Sequence, residues 1–162
     1  MRWFWVLLLW VPTLHAFEHI KGQRLPQVIK YQCSPDLETC FLQQFHKWNT
    51  ALDNYFTLQE AAEGEEPDLL VVVSERDNKH HPEWHAWTWT GGRRATVTIK
   101  LPVKAHISFE HIMLHEIGHA LGLKHSVESL IMAEHTLPYE EFLTLEEDDI
   151  KGVRSIYLRS KQ

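Results

Sequence analysis

One segment constrains this 162-residue chain more than any other: His115-Glu116-Ile117-Gly118-His119-Ala120-Leu121-Gly122-Leu123-Lys124-His125. Residues four apart in a helix lie about 40° apart around the axis and one turn along it. His115 and His119, placed near the end of a helix, therefore turn two imidazoles toward one point, with the Glu116 carboxylate beside them. Gly122 lets the backbone leave the helix in a conformation that other residues resist. The chain can then turn back and deliver His125 as a third nitrogen. Three neutral imidazoles suit zinc, and three protein ligands leave a fourth position open for water. Glu116 is placed to act on that water as general base and then to pass the proton to a leaving amine, while the metal polarises a peptide carbonyl.

The rest of the chain reads as strands and helices in alternation. Residues 25–32 carry Val28, Ile29 and Tyr31 among polar neighbours and predict a strand. Ser34-Pro35-Asp36 reads as a turn and helix start, with Ser34 as cap and Pro35 in the first turn. Leu37, Phe41, Leu42, Phe45, Trp48 and Leu52 recur at three- and four-residue steps and predict an amphipathic helix. Residues 55–60 predict a second strand, and the apolar run 68–73 a buried third. Residues 84–90 and 94–103, separated by Gly91-Gly92, predict a hairpin. Ser108 caps a helix that ends at Gly122, and a last helix is expected over 145–158. The fold class expected is α/β (α+β), with a mainly parallel sheet containing an antiparallel strand. Residues 17–24 read as a loose lead-in.

Arg2 followed by the apolar stretch 3–14 and the small residue Ala16 has the three-part form of a secretory signal peptide. The stretch is too short to span a bilayer comfortably. We expect a signal over 1–16, a single domain over 17–162, and a secreted protein, extracellular or periplasmic, with no stable membrane insertion. The two cysteines, Cys33 and Cys40, then read as a disulfide in an oxidising compartment, with two unpaired thiols as the alternative. A net charge of −6 and a pI near 6.0 argue against nucleic-acid binding.

With these residues in view, the sequence resembles the metzincins and, within them, the matrixins. The pattern H-E-x-x-H-x-x-G-x-x-H is complete, Ser126 follows it, and Met132 in Ser129-Leu130-Ile131-Met132 resembles the Met-turn. Ser34-Pro35-Asp36-Leu37, Trp48, Pro67-Asp68-Leu69-Leu70-Val71 and residues 145–157 are similar to matrixin elements, so the likeness covers about residues 25–158. It implies a metzincin-type fold: a twisted mixed sheet, three helices and a zinc cleft. It also implies a zinc endopeptidase acting on protein or peptide substrates, with His115, His119 and His125 as metal ligands and Glu116 as catalytic residue. The alternative is a catalytically inactive, zinc-stabilised binding or adhesion module.

The family's edge strand binds an extended substrate through its backbone, which in the stretch His85-Ala86-Trp87-Thr88 makes Ala86 a candidate contact. Trp87 and Trp89 are left between core and cleft. Neither the family's propeptide with its zinc-blocking cysteine nor a C-terminal propeller is recognised. The family's loop for structural zinc and calcium is replaced by the short stretch 77–84. Whether His80, His81 and His85 bind a second zinc, or whether calcium is held, stays open. Ala133-Glu134-His135 lacks the proline expected in the specificity-pocket wall, and Tyr139 is the candidate to take its place.

Overall fold

The structure is a computed structural model that describes residues 18–76, 78, 85–101, 108–134 and 144–158. The expected signal segment, His80, His81, His135 and Tyr139 lie outside the described residues. The elements in chain order are β1 (Val28–Cys33), α1 (Pro35–Ala51), β2 (Thr57–Glu60), β3 (Leu69–Ser74), β4 (Ala86–Gly91), β5 (Arg94–Lys100), α2 (Phe109–Ala120) and α3 (Glu147–Tyr157). The five strands form one sheet in the order β2-β1-β3-β5-β4. Pairings β1–β2, β1–β3 and β3–β5 are parallel, and only β4 runs antiparallel, at the edge. The mixed sheet and three helices match the fold class expected from the sequence.

Helix α1 begins with Pro at its first position and carries Asp36 and Glu38 in its first turn, where the helix dipole favours acidic groups. Ser34 occupies the cap position, yet its side chain does not cap the helix. Its Oγ accepts from Val73 N at 3.3 Å and ties the helix start to β3. Leu37, Phe41, Phe45, Trp48 and Leu52 form the buried stripe, whereas Leu42 is 38 % exposed and lies off it. Three- and four-residue spacing alone drew the stripe one position too wide. After α1 the chain reverses through Asp53 and Asn54, both at positive φ. The Asn49 side chain brackets Phe56, donating to its carbonyl at 3.0 Å and accepting from its N–H at 2.8 Å. That sets the chain into β2.

Trp48 is fully buried and donates from Nε1 to the Leu114 carbonyl at 2.9 Å, which joins α1 to α2. Truncating a residue this large in a core costs about 3–5 kcal/mol. Phe45, Phe56 and Tyr157 continue the aromatic packing toward α3. The Tyr157 hydroxyl accepts from Leu25 N at 3.0 Å and donates to the Leu121 carbonyl at 3.1 Å. Ser108 caps α2 as expected, accepting from His111 N at 3.2 Å. A capping box between Glu146 and Asp149 starts α3.

The β4–β5 hairpin closes through a two-residue turn between Gly91 and Arg94, with Gly92 at φ 70°. A glycine at the first central position is what such turns require. Cys33 and Cys40, expected to be bridged, are free thiols. Cys33 closes β1, with its Sγ toward the Ser34 carbonyl, and Cys40 lies in α1. Burial pushes their pKa values up to about 12 and about 11, so both stay protonated.

Candidate active site

His115 and His119 project from the last turns of α2, and His125 arrives on the loop beyond Gly122. The ring nitrogens converge: His119 Nε2 lies 3.0 Å from His115 Nε2 and 3.1 Å from His125 Nε2. His115 Nδ1 is 2.6 Å from the Ile131 carbonyl, and His119 Nδ1 is 2.8 Å from the Leu123 carbonyl. A carbonyl only accepts, so each Nδ1 carries the proton and each Nε2 of a neutral ring presents a lone pair. Burial, followed by the neighbouring imidazoles, holds His115 well below the usual histidine range, and burial lowers His119 to about 4. Lone pairs of neutral rings turned toward one point repel each other unless a cation lies between them. The donor set fits a metal ion, and the triad could hold one.

The loop is fastened from several sides. Gly122 has φ 103° and a Cβ there would lie 3.0 Å from the Gln23 carbonyl, so this position takes glycine for both reasons. Ser126 N donates to the Met132 carbonyl at 2.8 Å, and Ser126 Oγ donates to Asp148 Oδ2 at 2.7 Å. Met132 is buried, and its N–H donates to Ser129 Oγ at 2.8 Å. A Cβ on Gly118 would sit 2.4 Å from Met132 Sδ and 2.9 Å from Trp48 Cζ2. Gly118 is therefore the position at which the Met132 side chain packs against α2. Its signal in the sequence is a glycine inside a helix, which marks close packing.

The segment before β1 is not the loose lead-in expected. His19 pairs with Leu123 in an antiparallel bridge. Ile20 N donates to the Gly122 carbonyl at 2.7 Å, and Lys124 N to the Glu18 carbonyl at 2.9 Å. Gln23 Nε2 donates to the Ala120 carbonyl at 2.8 Å. These partners lie about a hundred residues away, so no local pattern revealed them.

Glu116 is 5 % exposed, and burial raises its pKa to about 7, against the opposing hydrogen bond from Thr88. Thr88 Oγ1 lies 2.6 Å from Glu116 Oε2 and 3.2 Å from the Glu116 carbonyl. Thr88 belongs to β4, and its side chain faces α2. The alternation of a strand then turns Trp87 and Trp89 to the opposite sheet face, where Trp89 is 64 % exposed. These two tryptophans belong neither to the core nor to the histidine side of the sheet. Ala86 is the first residue of β4, on the α2 side. Lys100 N donates to the His85 carbonyl at 2.8 Å, which makes this opposed pair a hydrogen-bonded one. In an antiparallel ladder such pairs alternate, so the backbone N–H and C=O groups of Ala86, Thr88 and Thr90 point to the outer side. Among the described residues the histidine triad is the one metal-ligating group of this kind, and His85 takes no part in it.

Comparison with known proteins places the chain in a family. A profile of the matrixins matches residues 33–158, more than half of the chain. Metalloendoproteinase 1 of Glycine max is 27 % identical over 158 residues, covering 80 % of this chain and 50 % of that protein. Metalloendoproteinase 5-MMP of Arabidopsis thaliana is 41 % identical over 58 residues, covering 35 % of this chain and 16 % of that protein. The chain thus spans half or less of the length of these relatives. A chain in the solved structure titled "GM1 bound form of the ECX AB5 holotoxin" superposes with a TM-score of 0.57 at 14 % identity. That match covers 88 % of this chain and 84 % of the other, and shows a shared fold. The profile match across the helix, the histidine loop and the closing helix establishes that the chain belongs to the matrixin family.

Proposed function

We propose that the chain is a secreted zinc-dependent endopeptidase that hydrolyses peptide bonds of protein substrates. The observation that carries this reading is the convergence of three imidazole Nε2 atoms next to a buried carboxylate. His115, His119 and His125 hold the ion, which when bound supplies Lewis-acid polarisation of the substrate carbonyl. Glu116, buried beside the triad and hydrogen-bonded to Thr88, is placed to take a proton from water and give it to the leaving amine. Its burial excludes bulk water and strengthens that transfer. The substrate lies as an added strand along β4, with the backbone of Ala86 among its partners. We assign Met132 to the Met-turn and name Tyr139 as the candidate substrate-binding residue. A purely structural zinc site has no need of a buried carboxylate and fills its fourth position with protein, which disfavours the binding-module alternative.

Residues 1–16 act as a signal peptide, and the mature chain begins at Phe17. Among the described residues no helix is long and apolar enough to cross a membrane. Cleavage of casein by the purified 17–162 protein tests the activity. Chelation should abolish it and one equivalent of zinc should restore it. Cleavage that survives complete removal of metal would reject the reading. N-terminal sequencing of the exported protein tests the cleavage site, and a chain that still begins at Met1 would exclude it.

A further inference from the structure

We infer that Thr88 is a positioning residue that holds the Glu116 carboxylate in its working orientation and couples it to the strand that receives substrate. The inference rests on the reading of Glu116 as the base. A threonine hydroxyl has one proton to donate. At 2.6 Å from the carboxylate and 3.2 Å from the backbone carbonyl, that proton goes to the carboxylate. Among the described residues Thr88 is the carboxylate's hydrogen-bond partner. The terminal torsion of a glutamate is broad and roughly two-fold, so without this bond the buried carboxylate has no group to fix its plane. The β-branched threonine supplies a stiff donor, because its χ1 is restricted. The backbone of the same residue points to the outer side of β4, between Ala86 and Thr90. One residue therefore spans the distance from the substrate strand to the base. Docking of a peptide on the edge fixes the scissile carbonyl relative to a carboxylate already tethered to that edge.

The test compares the zinc-loaded wild type with Thr88→Val, Thr88→Ser and Glu116→Ala, reading zinc content, kcat and KM on one peptide substrate. Thr88→Val keeps the shape and the strand backbone and removes the donor. Its kcat should fall about ten- to a hundred-fold, the scale for losing one hydrogen bond to a charged group, with KM and zinc content unchanged. Thr88→Ser should recover most of kcat. Crystal structures of the zinc-loaded proteins give a readout that does not depend on activity. The Glu116 carboxylate should occupy one orientation in wild type and Thr88→Ser, and several in Thr88→Val. Unchanged kcat in Thr88→Val, a loss confined to KM or zinc content, no recovery in Thr88→Ser, or a single carboxylate orientation in Thr88→Val would each overturn the inference. Activity retained by Glu116→Ala would instead overturn the assignment of the base, and the inference with it.

Discussion

Replacing Gly118 with alanine sets two effects against each other. Alanine is the better helix former, by about 1 kcal/mol in an exposed helix interior. Here, however, the added Cβ would stand 2.4 Å from Met132 Sδ and 2.9 Å from Trp48 Cζ2. Both neighbours are buried, and Trp48 is fixed by its bond to the Leu114 carbonyl. The methionine thioether can shift, but only within a filled core, and overpacking of this kind costs about 1–3 kcal/mol. With both contacts under 3.0 Å the steric cost falls in the upper part of that range, about 2–3 kcal/mol, which less the propensity gain leaves a net loss of about 1–2 kcal/mol. For a domain of this size that is a fall in Tm of about 2–8 °C. Thermal unfolding of the metal-free protein reads it directly. Met132→Ala opens the space beneath α2, so Gly118→Ala should cost less in that background than in wild type, as expected for sites that share a contact. A Gly118→Ala protein as stable as wild type, or an equal cost in both backgrounds, would refute the packing argument.

Metal-free stability should depend on pH through Glu116. Its folded pKa is raised to about 7, so folding is penalised once the unfolded carboxyl ionises near pH 4.5. The penalty grows to pH 7 and is then constant, at most about 3 kcal/mol. His115 and His119, with lowered values, act in the opposite sense, favouring the folded state as pH rises toward 6.5. Glu116→Gln removes only the first effect. Its stability advantage over wild type in denaturant titrations should widen from pH 4.5 to 7, and a constant difference would contradict the shift. A protein truncated to begin at Gln23 loses the bonds from Ile20 to Gly122 and from Lys124 to Glu18. It should release zinc to a competing chelator faster than the 17–162 form, and equal release rates would show that the segment does not brace the loop. Cys33 and Cys40 should both alkylate slowly in the native protein at pH 8 and rapidly after unfolding, without reductant. A mass two hydrogens lower before treatment would show a bridge.

The parts of the molecule legible in the sequence are those whose signal is local. Spacing in residues 115–125 is enough to place three imidazoles around one point, because helix geometry converts a four-residue step into a shared face. The stripe of α1, the hairpin glycines and the Ser108 cap are legible for the same reason. What escaped depends on partners far away in the chain. Thr88 looks like an ordinary strand residue until β4 is laid against α2. Residues 18–23 look loose until Leu123 is brought beside His19. Ser34 has the chemistry of a cap, but Val73 N competes for its hydroxyl and wins. The cysteine pair suggests a bridge only through an expected compartment, and the geometry leaves both thiols free.

The most direct test of the account separates metal binding from proton transfer within one variant. Zinc content and casein cleavage should be measured side by side for wild type and Glu116→Gln. One zinc per chain is expected in both proteins, with cleavage reduced in the variant by about a hundred- to ten-thousand-fold. Cleavage at the wild-type rate in the variant, or a wild type that binds no zinc, would contradict it.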